Sequence, residues 1–207
     1  MKPQFKTIIY WFTCFAALLL IYRIVRTDSL YYIFLAWNLF LAFIPFWISD
    51  YISKQKQITF HYLPLIFIWI LFLPNSPYIL TDLFHLKQRQ DIPLWYDLIL
   101  ISSFALIGFV VFYKSIIDMI RLLKDKIPSY HLKIILPAFF CLIAFGLYLG
   151  RYLRFNSWNV VNHPFRLVHK SYNSLFCKDT IGFILIFATF MWFVYLTLVN
   201  FNSKEKI

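Results

Sequence analysis

The chain has 207 residues, of which 61% are hydrophobic and only 14% are charged. Soluble domains are about 45–50% apolar and about 25% charged, so this composition excludes an ordinary soluble domain, and the length favours a single domain over residues 1–207. The net charge of +11 comes from Lys and Arg in short gaps between apolar runs, which indicates membrane topogenesis and excludes nucleic acid as a partner.

Six apolar runs predict six membrane-spanning helices. Each run reaches or approaches the roughly 20 residues that cross the hydrocarbon core. Continuous apolarity with no period of two indicates helices, because a backbone in lipid must satisfy its hydrogen bonds internally. We therefore expect an all-α integral membrane protein with short loops and a short interfacial helix near residues 77–88. The predicted spans are 8–25, 30–48, 58–73, 95–113, 133–150 and 181–199.

A first polar motif follows the third predicted span. From residue 74 it reads Pro-Asn-Ser-Pro-Tyr-Ile-Leu-Thr-Asp-Leu-Phe-His-Leu. Asn75 or Ser76 is expected to cap a new helix that has Pro77 at its first position. At 100° per residue, one narrow stripe of this helix contains Tyr78, Asp82, His85 and Arg89.

The stripe has three interpretations. Asp82 and His85 lie one turn apart, and a carboxylate beside an imidazole favours an acid/base pair or a binding site. In the second interpretation Asp82 and His85 are two ligands of a metal ion, but no other Asp, Glu, His or Cys at helical spacing completes a metal site. The third is an interfacial helix whose polar face meets headgroups or partner helices. We predict no metal and no cofactor.

A second polar motif ends the fifth span. Gly146 and Gly150 are four residues apart, which lets a neighbouring helix approach closely and makes them candidates for a homo- or hetero-oligomer contact. Arg151 and Arg154 are expected to share a helix face, where two guanidinium forks suit a phosphate or a carboxylate. The alternatives are arginines that snorkel to headgroups or that pair structurally with acidic residues.

Asp97 stands at the start of the fourth span. An ionisable residue that enters the membrane is costly and needs a partner, and we expect that partner to be Arg151 or Arg154.

Two other polar residues have structural explanations. Asp118 lies between Lys114 and Arg121 at helical spacing, so its charge is satisfied locally. Asn38 is expected to form an interhelical hydrogen bond.

The distribution of charge weakly favours one orientation of the protein in the membrane. Basic residues divide ten against nine between the two sides of the membrane, and ten against seven if Arg151 and Arg154 serve a site. This favours cytoplasmic termini and extracytoplasmic motif loops. Because the loops after spans one, three and five lie on one side, we expect the two motifs to face each other.

The two motifs resemble those of a bacterial multi-pass membrane family known as domain of unknown function 1361. The family pattern is Pro-Asn-(Ala/Ser)-Pro-Tyr…Thr-Asp…His, then Tyr-Asp-Leu, then Gly-Arg…Arg…Asn-Ser-Trp. The resemblance covers roughly residues 60–200 and implies a multi-pass protein of the bacterial cytoplasmic membrane, with no established activity. After the Trp the family has Asp, whereas this chain has Asn159. The matching residues are Pro74, Asn75, Ser76, Pro77, Tyr78, Thr81, Asp82, His85, Asp97, Gly150, Arg151, Arg154, Asn156, Ser157 and Trp158.

Three functions fit these features, and whether the protein is an enzyme stays open. The first is binding or processing of an anionic lipid or lipid-linked envelope substrate at a site formed by the loops after spans three and five. The second is an accessory or scaffold protein of an envelope assembly, with the motifs as structural seams. The third is a small transporter or channel subunit. In the first, the catalytic candidates are His85, Asp82 and Asp97, and the ligand-binding candidates are Arg151, Arg154, Asn75, Tyr78, Asn156 and Trp158.

Overall fold

The computed structural model describes residues 3–55, 59–88, 92–124 and 127–204. Within these ranges the regular structure is helical, without strands. Six described helical segments are long and apolar enough to cross a membrane, which confirms the expected all-α multi-pass architecture. These segments are Gln4–Thr27, Phe34–Ile52, Phe60–His85, Leu94–Leu123, Tyr130–Arg151 and Lys178–Asn200.

The chain divides into two compact units, Met1–Ile120 (unit 1) and Arg121–Ile207 (unit 2). Unit 1 contains α1 (Pro3–Thr27), α2 (Phe34–Ile52), α3 (Leu63–Phe72), α4 (Asn75–Tyr78) and all but the last turn of α5 (Leu94–Leu123). Unit 2 contains α6 (Ser129–Arg151), α7 (Asn159–Asn162), α8 (Pro164–Leu175) and α9 (Lys178–Lys204).

The core of unit 1 is an apolar cluster shared by α1, α2 and α5. On α2 the buried residues recur at helical spacing and form one face toward the core. Buried residues of α1 and α5 complete the cluster. Its members include Ile9, Ala16 and Leu20 from α1, Leu35, Leu39, Ala42, Phe43 and Phe46 from α2, and Leu100, Ile101, Phe104, Ala105 and Ile107 from α5.

The third span includes the first polar motif. α3 has only 10 residues, which makes it about 15 Å long, half of the roughly 30 Å hydrocarbon core. After Pro74 the chain continues through α4 into a 3-10 helix, Ile79–His85. The short helix expected near residues 77–88 is found at 75–85. The segment that is long and apolar enough to span, Phe60–His85, runs past the predicted boundary at residue 73.

Unit 2 is organised around α6 and α9, which pack side by side in antiparallel directions. The Phe140 ring lies 5.9 Å from the Trp192 ring, and the Tyr148 ring lies 5.7 Å from the Phe183 ring, centroid to centroid. As the chain advances along α6, its contacts thus move backward along α9. The basic motif that follows α6 is therefore held at one end of this helix pair.

Candidate functional site

The first polar motif packs along α2. The Ser76 hydroxyl donates a hydrogen bond to the Ala42 carbonyl at 3.0 Å, and Asn38 Nδ2 donates to Asp82 Oδ2 at 2.9 Å. The second bond confirms the interhelical hydrogen bond expected of Asn38. Ser76 and Asp82 are both buried, so these bonds satisfy polar groups that would otherwise be costly inside the fold.

His85 ends the motif and also contacts the α2 region. Its backbone carbonyl accepts a hydrogen bond from the Tyr32 hydroxyl at 3.2 Å, and its ring centroid lies 5.2 Å from that of Phe34. We call the pairs Ser76–Ala42, Asn38–Asp82 and Tyr32–His85 the motif seam. Its polar groups bond to neighbouring segments of unit 1.

The 3-10 geometry changes the predicted stripe. Three residues make one turn of a 3-10 helix, so Asp82 and His85 share a face as predicted, but Tyr78 falls on another face. The Tyr78 carbonyl accepts a hydrogen bond from the Thr81 hydroxyl at 2.7 Å. Arg89, the last predicted member of the stripe, lies outside the described residues.

The start of the motif also differs from the prediction. Asn75 is the first residue of α4, and Pro74 occupies the N-cap position without a side-chain capping bond. Asn75 Nδ2 instead donates to the Phe72 carbonyl at 2.9 Å. The expected cap by Asn75 or Ser76 is wrong, because the helical path continues through residue 74 and the Ser76 amide bonds back to the Leu73 carbonyl.

Asp97 forms a two-point ion pair with Arg23 of α1. Arg23 Nε lies 2.8 Å from Asp97 Oδ1, and Arg23 Nη2 lies 3.3 Å from Oδ2. Each residue is 1% exposed. This corrects the expected pairing with Arg151 or Arg154: the cation comes from α1, 74 positions earlier in the sequence.

Tyr32 connects this ion pair to the end of the motif. The Arg23 guanidinium carbon lies 4.3 Å from the centroid of the Tyr32 ring, a distance typical of a cation–π contact. The Tyr32 hydroxyl bonds to the His85 carbonyl, so the buried residues Asp97, Arg23 and Tyr32 form a chain of contacts that ends at the half-buried His85. Arg23 and Tyr32 are the functional-site residues that the sequence analysis missed.

Asp50 and Asp118 of unit 1 are also paired with nearby lysines. Asp50 Oδ2 lies 2.6 Å from Lys6 Nζ and 2.8 Å from Lys54 Nζ, and the hydrogen bond to Asp50 raises the pKa of Lys54. Asp118 is paired with Lys114 one turn earlier on α5, which confirms the predicted local pairing.

The second motif forms a wide turn at the end of α6. The helix ends at Arg151, and Arg154 adopts a left-handed conformation with φ of 56°. The Phe155 amide then bonds back to the Leu149 carbonyl at 3.0 Å. Arg151 and Arg154 therefore do not share a helix face as predicted, because the helix ends between them.

A second turn follows at Asn156. Its amide donates to Asn159 Oδ1 at 2.6 Å, and Trp158 precedes α7 with 38% of its surface exposed. An Asp carboxylate accepts the same hydrogen bond as an Asn side-chain oxygen. The Asp that the resemblance leads us to expect at position 159 would therefore support the same turn as Asn159.

The stretch between α6 and α9 is strongly basic. Residues 150–178, the basic segment, contain no Asp or Glu. The sequence predicts a loop for most of this stretch, whereas the structure forms α7 and α8 in it. The Lys and Arg residues of the basic segment are Arg151, Arg154, Arg166, Lys170 and Lys178.

The predicted site residues fall into two groups. Unit 1 contains Asn75, Tyr78, Asp82, His85 and Asp97, and unit 2 contains Arg151, Arg154, Asn156 and Trp158. A single site built from both groups stays a prediction, as do the catalytic roles. Among the described residues, no group of three or more His, Cys, Asp or Glu side chains has an arrangement that suits a metal ion.

The chain matches a protein-family model. The family is described as protein of unknown function (DUF1361), and the match covers residues 37–194, well over half of the chain. No curated protein and no solved structure matches the chain.

Proposed function

The chain belongs to the family of proteins of unknown function DUF1361, and we propose that this multi-pass membrane protein binds an anionic lipid headgroup through the turn at the end of α6. The observation that carries the proposal is the basic segment, which places five Lys and Arg and no carboxylate directly after a helix of membrane-spanning length. Guanidinium groups bind phosphate oxygens through paired hydrogen bonds.

The conformation of Arg154 supports a role for its side chain. A left-handed conformation costs a non-glycine residue about 1–2 kcal/mol, and glycine adopts it without strain. Arg154 is exposed, so burial against the fold does not account for an arginine at this position. Strained residues of this kind cluster at ligand clamps and other functional positions.

Aromatic side chains beside the arginines also support headgroup binding. Tyr152 and Trp158 are both exposed, and Tyr and Trp are enriched at the level of lipid headgroups. Arg151, Arg154 and Asn156 would then contact the headgroup while the two aromatic rings lie in the interface.

The motif seam favours a second candidate function. Asp82, His85 and Asp97 each contact neighbouring segments of unit 1, and such partners support structural roles for these groups. In an accessory or scaffold protein of an envelope assembly, the first motif would stabilise the fold and the basic segment would contact the membrane or a partner. Catalysis by these three residues is not part of our proposal.

Lipid retention tests the proposal. Protein reconstituted in nanodiscs of phosphatidylcholine and phosphatidylglycerol is extracted into mild detergent, and the co-purified lipids are quantified by mass spectrometry. We expect Arg154→Gly and Arg154→Gln each to retain about tenfold less phosphatidylglycerol, because a charge-assisted hydrogen bond contributes about 1.5–3 kcal/mol. Arg151→Gln should act in the same direction.

Two comparisons make this test specific. Lys133→Gln removes an exposed cation near the other end of α6 and should leave lipid retention unchanged. Arg154→Gly removes the backbone strain together with the cation, so it should melt at the wild-type temperature or above while it loses lipid. Wild-type retention of phosphatidylglycerol in both Arg154 variants would overturn the proposal.

We also propose that the protein lies in the bacterial cytoplasmic membrane with its termini in the cytoplasm and the basic segment outside. Cys177 is exposed at the end of the basic segment, whereas Cys14 and Cys141 lie within membrane-spanning helices. A membrane-impermeant maleimide should therefore label Cys177 in intact cells, and Cys177→Ser should abolish the labelling. Labelling of Cys177 that appears only after lysis would reverse the orientation.

A further inference from the structure

We propose that α8 lies along the membrane surface, with one face in lipid and the opposite face toward anionic headgroups. This inference goes beyond the proposed function, because it requires no headgroup recognition by Arg151 or Arg154. It concerns a helix within a stretch for which the sequence predicts a loop.

The first evidence is an apolar stripe on α8 and the residue after it. At 100° per residue, five apolar side chains fall within an arc of about 100°, the width typical of an amphipathic helix face. All five are exposed, so the described parts of unit 2 leave this stripe largely uncovered. The stripe consists of Phe165 (88% exposed), Val168 (67%), Tyr172 (62%), Leu175 (42%) and Phe176 (69%).

α8 contacts the rest of unit 2 through a different face. Leu167, Ser171 and Ser174 are its partly buried residues, and the Ser174 hydroxyl donates to the Ser171 carbonyl within the helix. These three residues lie on one side of the helix, away from the apolar stripe. The docking of α8 onto its unit therefore does not use the stripe.

The charge of α8 indicates a lipid surface as the occupant. Arg166 and Lys170 lie on the side opposite the stripe. Asn173 lies beside them and contacts His169 at the edge of the stripe. The whole basic segment lacks acidic residues. An apolar face opposite a basic face is the pattern of helices that lie in the interface of membranes with anionic lipids.

The position of α8 in the chain leads to the same conclusion. Only residues 176 and 177 separate α8 from α9, so the facing ends of the two helices lie within about 11 Å. Since α9 is long and apolar enough to span, the end of α8 is at the level where α9 enters the membrane. With 12 residues, α8 is about 18 Å long, too short to cross the hydrocarbon core.

The depth of single side chains tests this placement. In the full-length protein with Cys14→Ala, Cys141→Ala and Cys177→Ser, one cysteine is introduced at a time and labelled with the environment-sensitive fluorophore NBD. The positions are Val168→Cys and Tyr172→Cys on the stripe, and Lys170→Cys and Asn173→Cys on the polar face. The measurements are made in phosphatidylcholine/phosphatidylglycerol vesicles. At the two stripe positions we expect blue-shifted emission that doxyl lipids quench. At the two polar-face positions we expect quenching by aqueous iodide.

Two results would overturn the placement of α8. Iodide quenching at all four positions means that the helix projects into water. Protection of Val168→Cys and Tyr172→Cys from both quenchers means that protein covers the stripe, either another part of this chain, a second copy or a different partner. The same spectra are recorded in an Arg151→Gln/Arg154→Gln background to separate this inference from headgroup binding. In that double variant we expect lipid retention to be lost, while the four labelled positions keep the same pattern of quenching.

The wild-type protein provides a second measurement that needs no cysteine variant. A phospholipid with a photoactivatable diazirine on its acyl chain should label Phe165, Val168 or Tyr172, and the modified residues are mapped by mass spectrometry. Labelling of the lipid-exposed residues of α9 serves as the internal control. Labelled α9 with unlabelled α8 would overturn the inference.

Discussion

Asp97→Asn should destabilise the protein by about 3–5 kcal/mol, the cost of removing one partner of a buried ion pair. The substitution keeps the size of the side chain but leaves the Arg23 guanidinium, which is 1% exposed, without a counter-charge. The Tyr32 ring, 4.3 Å away, compensates only part of that charge, because a cation–π contact contributes about 2 kcal/mol when it is desolvated. Unfolding by SDS in mixed micelles at fixed pH measures the loss.

Asp179→Asn is the matched control for this substitution. Asp179 and Asp97 each lie in the first turn of a spanning helix, so both variants lose a similar interaction with the helix dipole, typically 0.3–1 kcal/mol. Asp179 is exposed, and its variant should lose no more than this. Equal losses in the two variants would show that the Arg23–Asp97 pair contributes nothing specific to stability.

A double substitution separates the loss of pairing from the loss of charge. In Arg23→Met/Asp97→Leu both ionic groups are replaced by apolar groups, so no uncompensated charge remains. Replacing a buried ion pair by well-packed apolar residues is often neutral or stabilising, and the double variant should therefore be more stable than Asp97→Asn. A double variant that is less stable than Asp97→Asn would mean that packing at these positions, rather than charge, dominates.

The features predicted correctly from the sequence depend on local patterns. Apolar runs locate the spans because lipid demands continuous apolarity over a fixed length. The Lys114–Asp118 pair is predictable because residues four apart lie on one helix face. Asn38 is predictable as an interhelical donor, because a polar side chain in a span needs a partner in the fold. Its acceptor, Asp82, is not predictable from the local pattern.

The features that were missed depend on contacts between distant residues or on exact backbone geometry. Nothing in the pattern near Asp97 indicates Arg23, because that pairing follows from how α1 packs against α5. The proline at residue 74 is typical of a helix end, yet α4 and the 3-10 helix continue the path. α8 was missed because it is short and carries polar residues, which are also typical of a loop.

Close packing of α5 against the first motif predicts the second large effect. In Gly108→Ala the new Cβ would lie 2.7 Å from the Ser76 carbonyl oxygen and 3.0 Å from Ile79 Cδ1. The oxygen belongs to the backbone, so relief requires movement of the segment that carries the motif seam. Overpacking costs about 1–3 kcal/mol, and we expect the upper end of that range here.

Gly182→Ala is the control, because it makes the same chemical change in α9 where nothing lies within 4 Å of the new Cβ. Alanine favours a helix over glycine by about 0.8–1.0 kcal/mol. We therefore expect a stability gain of up to about 1 kcal/mol in Gly182→Ala. In Gly108→Ala the same gain offsets part of the overpacking cost, which leaves a net loss of about 2 kcal/mol. SDS unfolding of both variants provides the comparison. A gain of similar size in Gly108→Ala would mean that α5 is not in close contact with residues 76–79.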